Sequence, residues 1–384
     1  MTLDTPSNVP DRTAGTALSY RQAGVDYALI DPLKIAAQRA AAATSVHLGR
    51  HGFNELAASR GESAYVVDIG PFYLATIVEC LGSKALVADE MRRLTGRDYY
   101  AEIAQDTIAM AINDLITVGA TPLVVQAYWA AGGSDWFGDA KRSEALVAGW
   151  KRACDVCHVA WGGGETPALA GIVEAGRIDL AAACTGIVSP KSRLSLGAHL
   201  GPGDAIVLLA SSGIHANGVS LARELADRLP RGYLSPVTGS AVPISFGEAL
   251  LAPTVLYPPI TEALHRAGVR VRYAVNITGH GWRKLMRHPA DFTYRIRRLP
   301  DVPAVLSFIA KEASLDARSA YGTFNMGAGF AVFVAAEDAE RAAGVARSAG
   351  VEAWVAGVVE AGPRRLVIEP LELEYAGNEL GVRL

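Results

Sequence analysis

What most constrains this chain is where its glycines stand. The 384 residues include 39 Gly, about 10% where roughly 7% is usual. They follow no period and gather in short turns that separate strand-like from helical runs. The fold must therefore be built from many short elements joined tightly, with backbone that approaches something closely at several turns.

Five of these turns carry polar side chains. Trp161-Gly162-Gly163-Gly164-Glu165-Thr166-Pro167 follows a strand-like run. Its glycines expose backbone amides that a phosphate can approach, and Glu165 would repel a bare phosphate but suits the Mg²⁺ that accompanies a nucleotide. A plain loop with a surface Glu is the other reading. Ala109–Gly119 is an apolar helical run interrupted by Asn113-Asp114, capped by Gly119 and stopped by Pro122. Two polar residues in such surroundings need a metal, a ligand hydroxyl or neighbouring backbone to satisfy them. Ser211-Ser212-Gly213-Ile214-His215-Ala216-Asn217-Gly218 lies between a strand and a helix and reads as an anion cradle. His215 within it suits general acid–base work or a structural role. Ile277-Thr278-Gly279-His280-Gly281 and Thr323–Gly329, which contains Asn325, complete the set.

Strand-like runs (64–69, 74–78, 123–128, 180–188) alternate with helical ones (35–43, 100–118, 143–157) up to about residue 188, and the mixture recurs after residue 204. Turn punctuation at Ser189–Ser192 and Gly201–Asp204 divides the halves. The expected organisation is a loose leader at 1–18, a first domain at 19–195 and a second at 196–384, giving an α+β fold of two mixed domains. A cleft between or across them is the default ligand site.

Several function classes fall away. With 36 basic and 39 acidic residues, the chain lacks the excess positive charge of a dedicated nucleic-acid binder. No apolar run approaches the ~20 residues needed to cross a bilayer. The first residues carry no signal-peptide pattern, so a soluble, cytoplasmic protein is expected. Cys154-Asp155-Val156-Cys157-His158 matches a c-type haem attachment signature. Haem attachment needs export, however, and the segment reads as a helix running into a strand, so no haem is expected. P-loop, nucleophile-elbow and zincin motifs are absent.

In this order and spacing the turns resemble the aminoimidazole ribonucleotide synthetase family, the phosphoribosylformylglycinamidine cyclo-ligases. The matching stretches are Ser19–Asp26, Ala109–Gly119, Gly163–Thr166, Ser211–Gly218, Ala252-Pro253-Thr254, Ile277-Thr278-Gly279 and Thr323–Gly329. The resemblance implies that the first domain dimerises through its strands into a shared barrel, while helices cover the C-terminal sheet. It implies ATP and Mg²⁺ as cofactors, a small amide or ribonucleotide substrate, and a homodimer. An amide oxygen would be phosphorylated, and an internal nitrogen would then displace phosphate to close an imidazole. Carried onto this chain, Asp114, Glu165 and Glu79 would bind Mg²⁺, and Asn113, Gly163, Gly164, Thr166 and Arg21 would support the nucleotide. Lys84 would face phosphate, and His215 with Asn217 would serve catalysis. Ser211, Ser212, Gly213, Thr254, Thr278 and Asn325 would hold substrate.

The chain departs from the family pattern where the family carries carboxylates or histidine. Glu79 replaces an expected Asp, while Ala127, Ala168 and Ala252 replace acidic residues. Asn276 replaces a His, and His280 replaces a Gly. These changes imply retained ATP machinery beside a recut substrate pocket, which Trp129 and Trp282 would make more apolar. A divergent paralogue using ATP on another amide, and a catalytically silent dimeric subunit, are the alternatives.

Overall fold

The structure, a computed structural model, describes residues 27–381; Arg21 and the 1–18 leader lie outside the described residues. The first half of the chain supplies a six-stranded sheet. Its strands are β1 (Asn54–Glu55), β2 (Tyr65–Asp68), β3 (Tyr73–Cys80), β4 (Thr121–Ala131), β5 (Ala160–Glu165) and β6 (Ile178–Val188), in the order β1-β2-β3-β6-β4-β5. The second half supplies β7 (Ala205–Ala210), β8 (Tyr273–Asn276), β9 (Phe292–Ile296), β10 (Ala328–Val334), β11 (Ala353–Ala361), β12 (Arg365–Ile368) and β13 (Leu373–Ala376), in the order β13-β12-β9-β11-β7-β10-β8. The helices are α1 (Tyr27–Thr44), α2 (Lys84–Thr95), α3 (Tyr100–Leu115), α4 (Asp135–Gly138), α5 (Ala140–Cys157), α6 (Val219–Arg228), α7 (Phe246–Leu250), α8 (Pro258–Arg266), α9 (Ala304–Glu312), α10 (Ala317–Thr323) and α11 (Ala339–Ser348).

The two sheets are covered differently, and the sequence shows why. Along β6, Ile178, Leu180, Ala182, Cys184 and Val188 are buried while the alternate residues are not, as period-two patterning requires when one face meets a core. By contrast, β7 and β10 are apolar throughout because both their faces are covered. Ile206 and Leu208 join the core shared with the first half, while Val207 and Leu209 pack with α8 and α11.

α3 is the centre of the molecule. Its Ala- and Ile-rich sequence is apolar on almost every side, which marks a helix buried all round. A 3₁₀ turn and Gly119, at φ 82°, end it. A Cβ on Gly119 would lie 2.1 Å from the Arg193 carbonyl oxygen, so glycine also admits the connection between the halves. There Ser195 Oγ donates to the Thr117 carbonyl at 2.7 Å.

One expectation changes. The Gly163–Glu165 turn is not a loop but the end of β5, an edge strand paired parallel to β4. A Cβ on Gly164 would stand 2.0 Å from the Ala127 carbonyl oxygen, so this glycine serves the close approach of two strands.

Candidate functional site between the sheets

α3 points its last turn at the C-terminal sheet, and its two polar residues are satisfied differently. Asn113 Nδ2 donates to the Val255 carbonyl at 2.8 Å, and its Oδ1 accepts from the Tyr257 amide at 3.0 Å. Both ends of that side chain are thus held by neighbouring backbone, as a splice between the halves. Asp114 accepts from Asn276 Nδ2 at 2.7 Å, and it lines a cavity of about 330 Å³.

Glu79, Asn217, Thr278 and His280 line the same cavity, together with Lys34, Lys284 and Arg287. Glu79 arrives from β3, on the face that Ala75 and Ile77 share. Burial and the neighbouring Asp114 charge push its carboxyl up to about 7, against the pull of Lys284, Arg287 and Lys34. Lys284 donates to Thr278 Oγ1. Burial lowers its ammonium pKa, with Asp114 and Glu79 opposing. His280 sits at φ 71° and is pushed down to about 3 by burial and by Lys284, so its ring is neutral. Arg287 ties the wall together, donating to the Gly61 carbonyl at 3.0 Å and to Ser63 Oγ at 2.8 Å.

The structure brings together two of the three expected metal ligands. Glu79 pairs across the sheet with Ala182, Ala182 with Ala127, and Ala127 with Gly164. At about 4.8 Å per strand, Gly164 lies roughly 14 Å from Glu79. Glu165, the next residue, pairs with Tyr128 and belongs to the opposite face, where it is exposed and accepts from the Thr166 amide at 3.2 Å. Glu79 and Asp114 still suit Mg²⁺, which is commonly held by one or two carboxylates plus phosphate oxygens. A carboxyl pushed up to about 7 by burial and by a neighbouring carboxylate is relieved by a divalent cation. Among the described residues no group of three or more His, Cys, Asp or Glu could hold a metal.

Other expected site residues have structural partners. Lys84 is fully buried, 2.7 Å from Asp106, and donates to the Ala252 carbonyl at 3.0 Å. As placed it faces a carboxylate and not an open cleft. Thr254 donates its amide to Asp106 at 2.8 Å, and its hydroxyl donates to the same oxygen. His215 is buried at φ 59°, and its Nε2 accepts from the Ser212 amide at 3.2 Å. Burial and Lys84 push its imidazolium down to about 3, so the neutral ring locks its own turn and carries no titrating proton near pH 7. Ser211 Oγ donates to Asn325 Oδ1, and Asn325 Nδ2 donates to the Gly213 carbonyl, both at 2.8 Å. Ser212 Oγ donates to the Pro253 carbonyl at 2.6 Å. The 211–218 cradle is thus stitched to its neighbours, with only Asn217 on the cavity.

The two tryptophans do not line the cavity. Trp129 packs on Trp150 and Trp161, while Trp282 packs on Tyr321 and donates to the Asn325 carbonyl at 2.6 Å. Cys154 and Cys184 are buried and neutral, pushed up to about 11 and about 12 by burial, and Cys157 is raised further. Lys34, Lys284 and Arg287 escaped the sequence reading. The signal for two of them was the basic run Arg283-Lys284 and Arg287, directly after Thr278-Gly279-His280-Gly281.

Two α+β units, with carboxylates from one meeting an amide and cations from the other across a charged cleft, define the class of protein. A family profile described as AIR synthase related protein, N-terminal domain, matches residues 61–188. The corresponding C-terminal domain profile matches residues 201–368. The phosphoribosylformylglycinamidine cyclo-ligase of Methanothermobacter thermautotrophicus is 37% identical over 284 residues, covering 73% of this chain and 79% of the relative. That of Paraburkholderia xenovorans is 31% identical over 366 residues, covering 93% and 96%. The solved structure of AaThiL complexed with AMPPCP and TMP shares the fold, with a TM-score of 0.54 at 14% identity over 82% of this chain and 90% of that one. The chain belongs to the AIR synthase related family.

Proposed function

We propose that this chain is an ATP-dependent cyclo-ligase of purine biosynthesis that converts formylglycinamidine ribonucleotide and ATP to aminoimidazole ribonucleotide, ADP and phosphate. The observation that carries the reading is the cavity where Glu79 and Asp114 stand opposite Lys34, Lys284 and Arg287. Relatives with the cyclo-ligase name that match over most of the chain support it. An amide oxygen is a poor leaving group. Transfer of the γ-phosphoryl group to it makes phosphate the leaving group when the internal nitrogen attacks the same carbon, closing the ring.

Glu79 and Asp114 would hold Mg²⁺, which when bound supplies charge neutralisation to the nucleotide phosphates. Asn276 orients the Asp114 carboxylate. Lys284, set by Thr278, and Arg287 offset negative charge in the cavity, and such fixed charges act strongly in a site that excludes water. Asn217, part-buried at the cavity edge beside Met110, is placed to hydrogen-bond substrate. The reaction is assigned to the cytoplasm, and no helix among the described residues is long and apolar enough to cross a membrane.

The protein works as a homodimer in this reading, with domains divided near 195/196. The outer face of β3–β6–β4 supports the dimer, since it carries Thr76, Val78, Gln126 and Tyr128 uncovered, Val78 at 69% exposure. A partner sheet laid on that face would close a shared barrel and cover Glu165.

The test is direct. Purified protein with ATP, Mg²⁺ and the ribonucleotide should release ADP and an aminoimidazole in equal amounts. ATP binding without ring closure would replace this reading with a paralogue acting on another amide. Absence of ATP binding by calorimetry would leave a silent subunit.

A further inference from the structure

A second cavity, of about 350 Å³, opens where the end of α3, the 192–195 connection, α8 and the segment before β8 meet. It shares no lining residue with the first. Its wall is apolar, formed by Ile116, Val269, Val271 and Ala274, and no Asp or Glu lines it among the described residues. Its polar lining is three hydroxyls, Ser192, Ser195 and Thr261, one imidazole and two guanidiniums. Arg193 is already tied to Glu262 at 2.6 Å, but His265 and Arg270 stand exposed at the mouth. A cavity of this size, mostly apolar with a few convergent polar groups, is the usual form of a small-molecule site. A guanidinium is the side chain best shaped to grip a carboxylate. Ser195 and Thr261 donate their hydroxyls to the Thr117 and Pro258 carbonyls and Arg193 is held by Glu262, which leaves Arg270 as the guanidinium placed to meet one carboxylate.

We infer that this seam binds a small organic monoanion with an apolar body, an arylcarboxylate in chemical class. Its ring lies against Ile116 and Ala274, and its carboxylate meets Arg270. The position gives binding a consequence. Ile116 follows Asp114 by two residues. Ala274 precedes Asn276 by two on the same face of β8. Asp114 and Asn276 are the two ends of the 2.7 Å hydrogen bond at the candidate site. A body seated between Ile116 and Ala274 therefore bears on both elements that hold this bond, and seam occupancy is coupled to the placement of the Asp114 carboxylate.

The experiment uses the full chain with 2-naphthoate as probe and 2-naphthylmethanol as its neutral counterpart. Calorimetry should show one naphthoate per chain and binding of the alcohol about tenfold weaker, the scale of one charge-assisted contact. R270Q, at an exposed position, should weaken naphthoate by about tenfold and leave the alcohol unchanged. T261F, which projects into the cavity, should abolish binding of both. The Asn276 side-chain amide signal, assigned by its loss in N276S, should move on naphthoate addition. No naphthoate binding at millimolar concentration, or equal affinity in R270Q, overturns the site. Binding with the Asn276 signal unmoved overturns the coupling.

Discussion

Asn276, at the end of a strand in the C-terminal sheet, donates a 2.7 Å hydrogen bond to Asp114 on the last turn of the central helix of the N-terminal half. Both side chains are buried. This contact turns two folded halves into one charged cleft, because it fixes the carboxylate that faces Glu79 and Lys284 across the cavity.

Replacing Asn276 should therefore disturb stability and chemistry together. N276L leaves the Asp114 carboxylate buried without that donor, and the loss should be about 1–3 kcal/mol in urea unfolding. N276D sets a third carboxylate beside Asp114 and Glu79. Its loss should be larger at pH 8 than at pH 5, where a shared proton relieves the repulsion. Equal losses at both pH values would show that the added carboxylate does not meet the charge of this cluster.

Lys84 makes a separate prediction. Its ammonium is sealed against Asp106, which also accepts from Thr254 on the other half. Removing one partner of a buried ion pair leaves an uncompensated charge, so K84M should cost about 3–5 kcal/mol. Adding D106L should restore part of that loss, because two apolar side chains can replace a buried pair, while the Thr254 amide and hydroxyl lose their acceptor. Under the competing role, contact with phosphate, K84M would weaken nucleotide binding and D106L would rescue nothing.

The Glu79 carboxyl gives stability a pH dependence of definite sign. It is held up to about 7 in the folded protein, against an ordinary value of 4.5 in the unfolded chain. Below about 4.5 both states hold the proton and the folded state keeps its full advantage. Between the two values the native protein keeps a proton that the unfolded chain has released, so stability falls as pH rises. Above about 7 the loss is complete. In metal-free protein the total should be a few kcal/mol at most. E79Q should remove this slope, measured by denaturant titration from pH 4 to pH 8. Mg²⁺ should stabilise the wild type more at pH 8 than at pH 5, because at pH 5 it must compete with that proton.

The sequence made the long periodic elements legible. α3, α5, β4 and β6 stand close to where hydrophobic spacing predicted them, because each buries a face large enough to enforce its pattern. Asp114, Asn217 and Thr278 were also legible as cleft residues, through polar residues in apolar runs and glycine turns, whereas Glu79 came only from the family resemblance. α2 and β9 were not legible, since half of Lys84–Thr95 is polar and Phe292–Ile296 is only five residues long. His215 could not be judged from its residue type. Its ordinary pKa near 6.5 suggested proton transfer, whereas burial makes it a neutral acceptor for Ser212. Nor could the chain order show that a sheet separates Glu165 from Glu79, because strand pairing between distant segments decides which face a residue occupies.

The uncovered outer face of the N-terminal sheet makes the last prediction. Val78 and Ala183 share one row across β3 and β6, and Gln126 continues it on β4, while Tyr128 lies in the row beside Cys80 and Ala181. In the single chain Val78 is 69% exposed, so V78K should change the stability of an isolated protomer by no more than about 0.5 kcal/mol. In a barrel closed by a second copy, the same substitution would bury an unpaired ammonium from each protomer, a cost of several kcal/mol. The wild type should therefore run as a dimer at micromolar concentration by size exclusion with light scattering. V78K should run as a monomer with an unchanged circular dichroism spectrum. A V78K protein that stays dimeric would place the interface elsewhere. A wild type that is monomeric would remove the shared barrel from the assembly altogether.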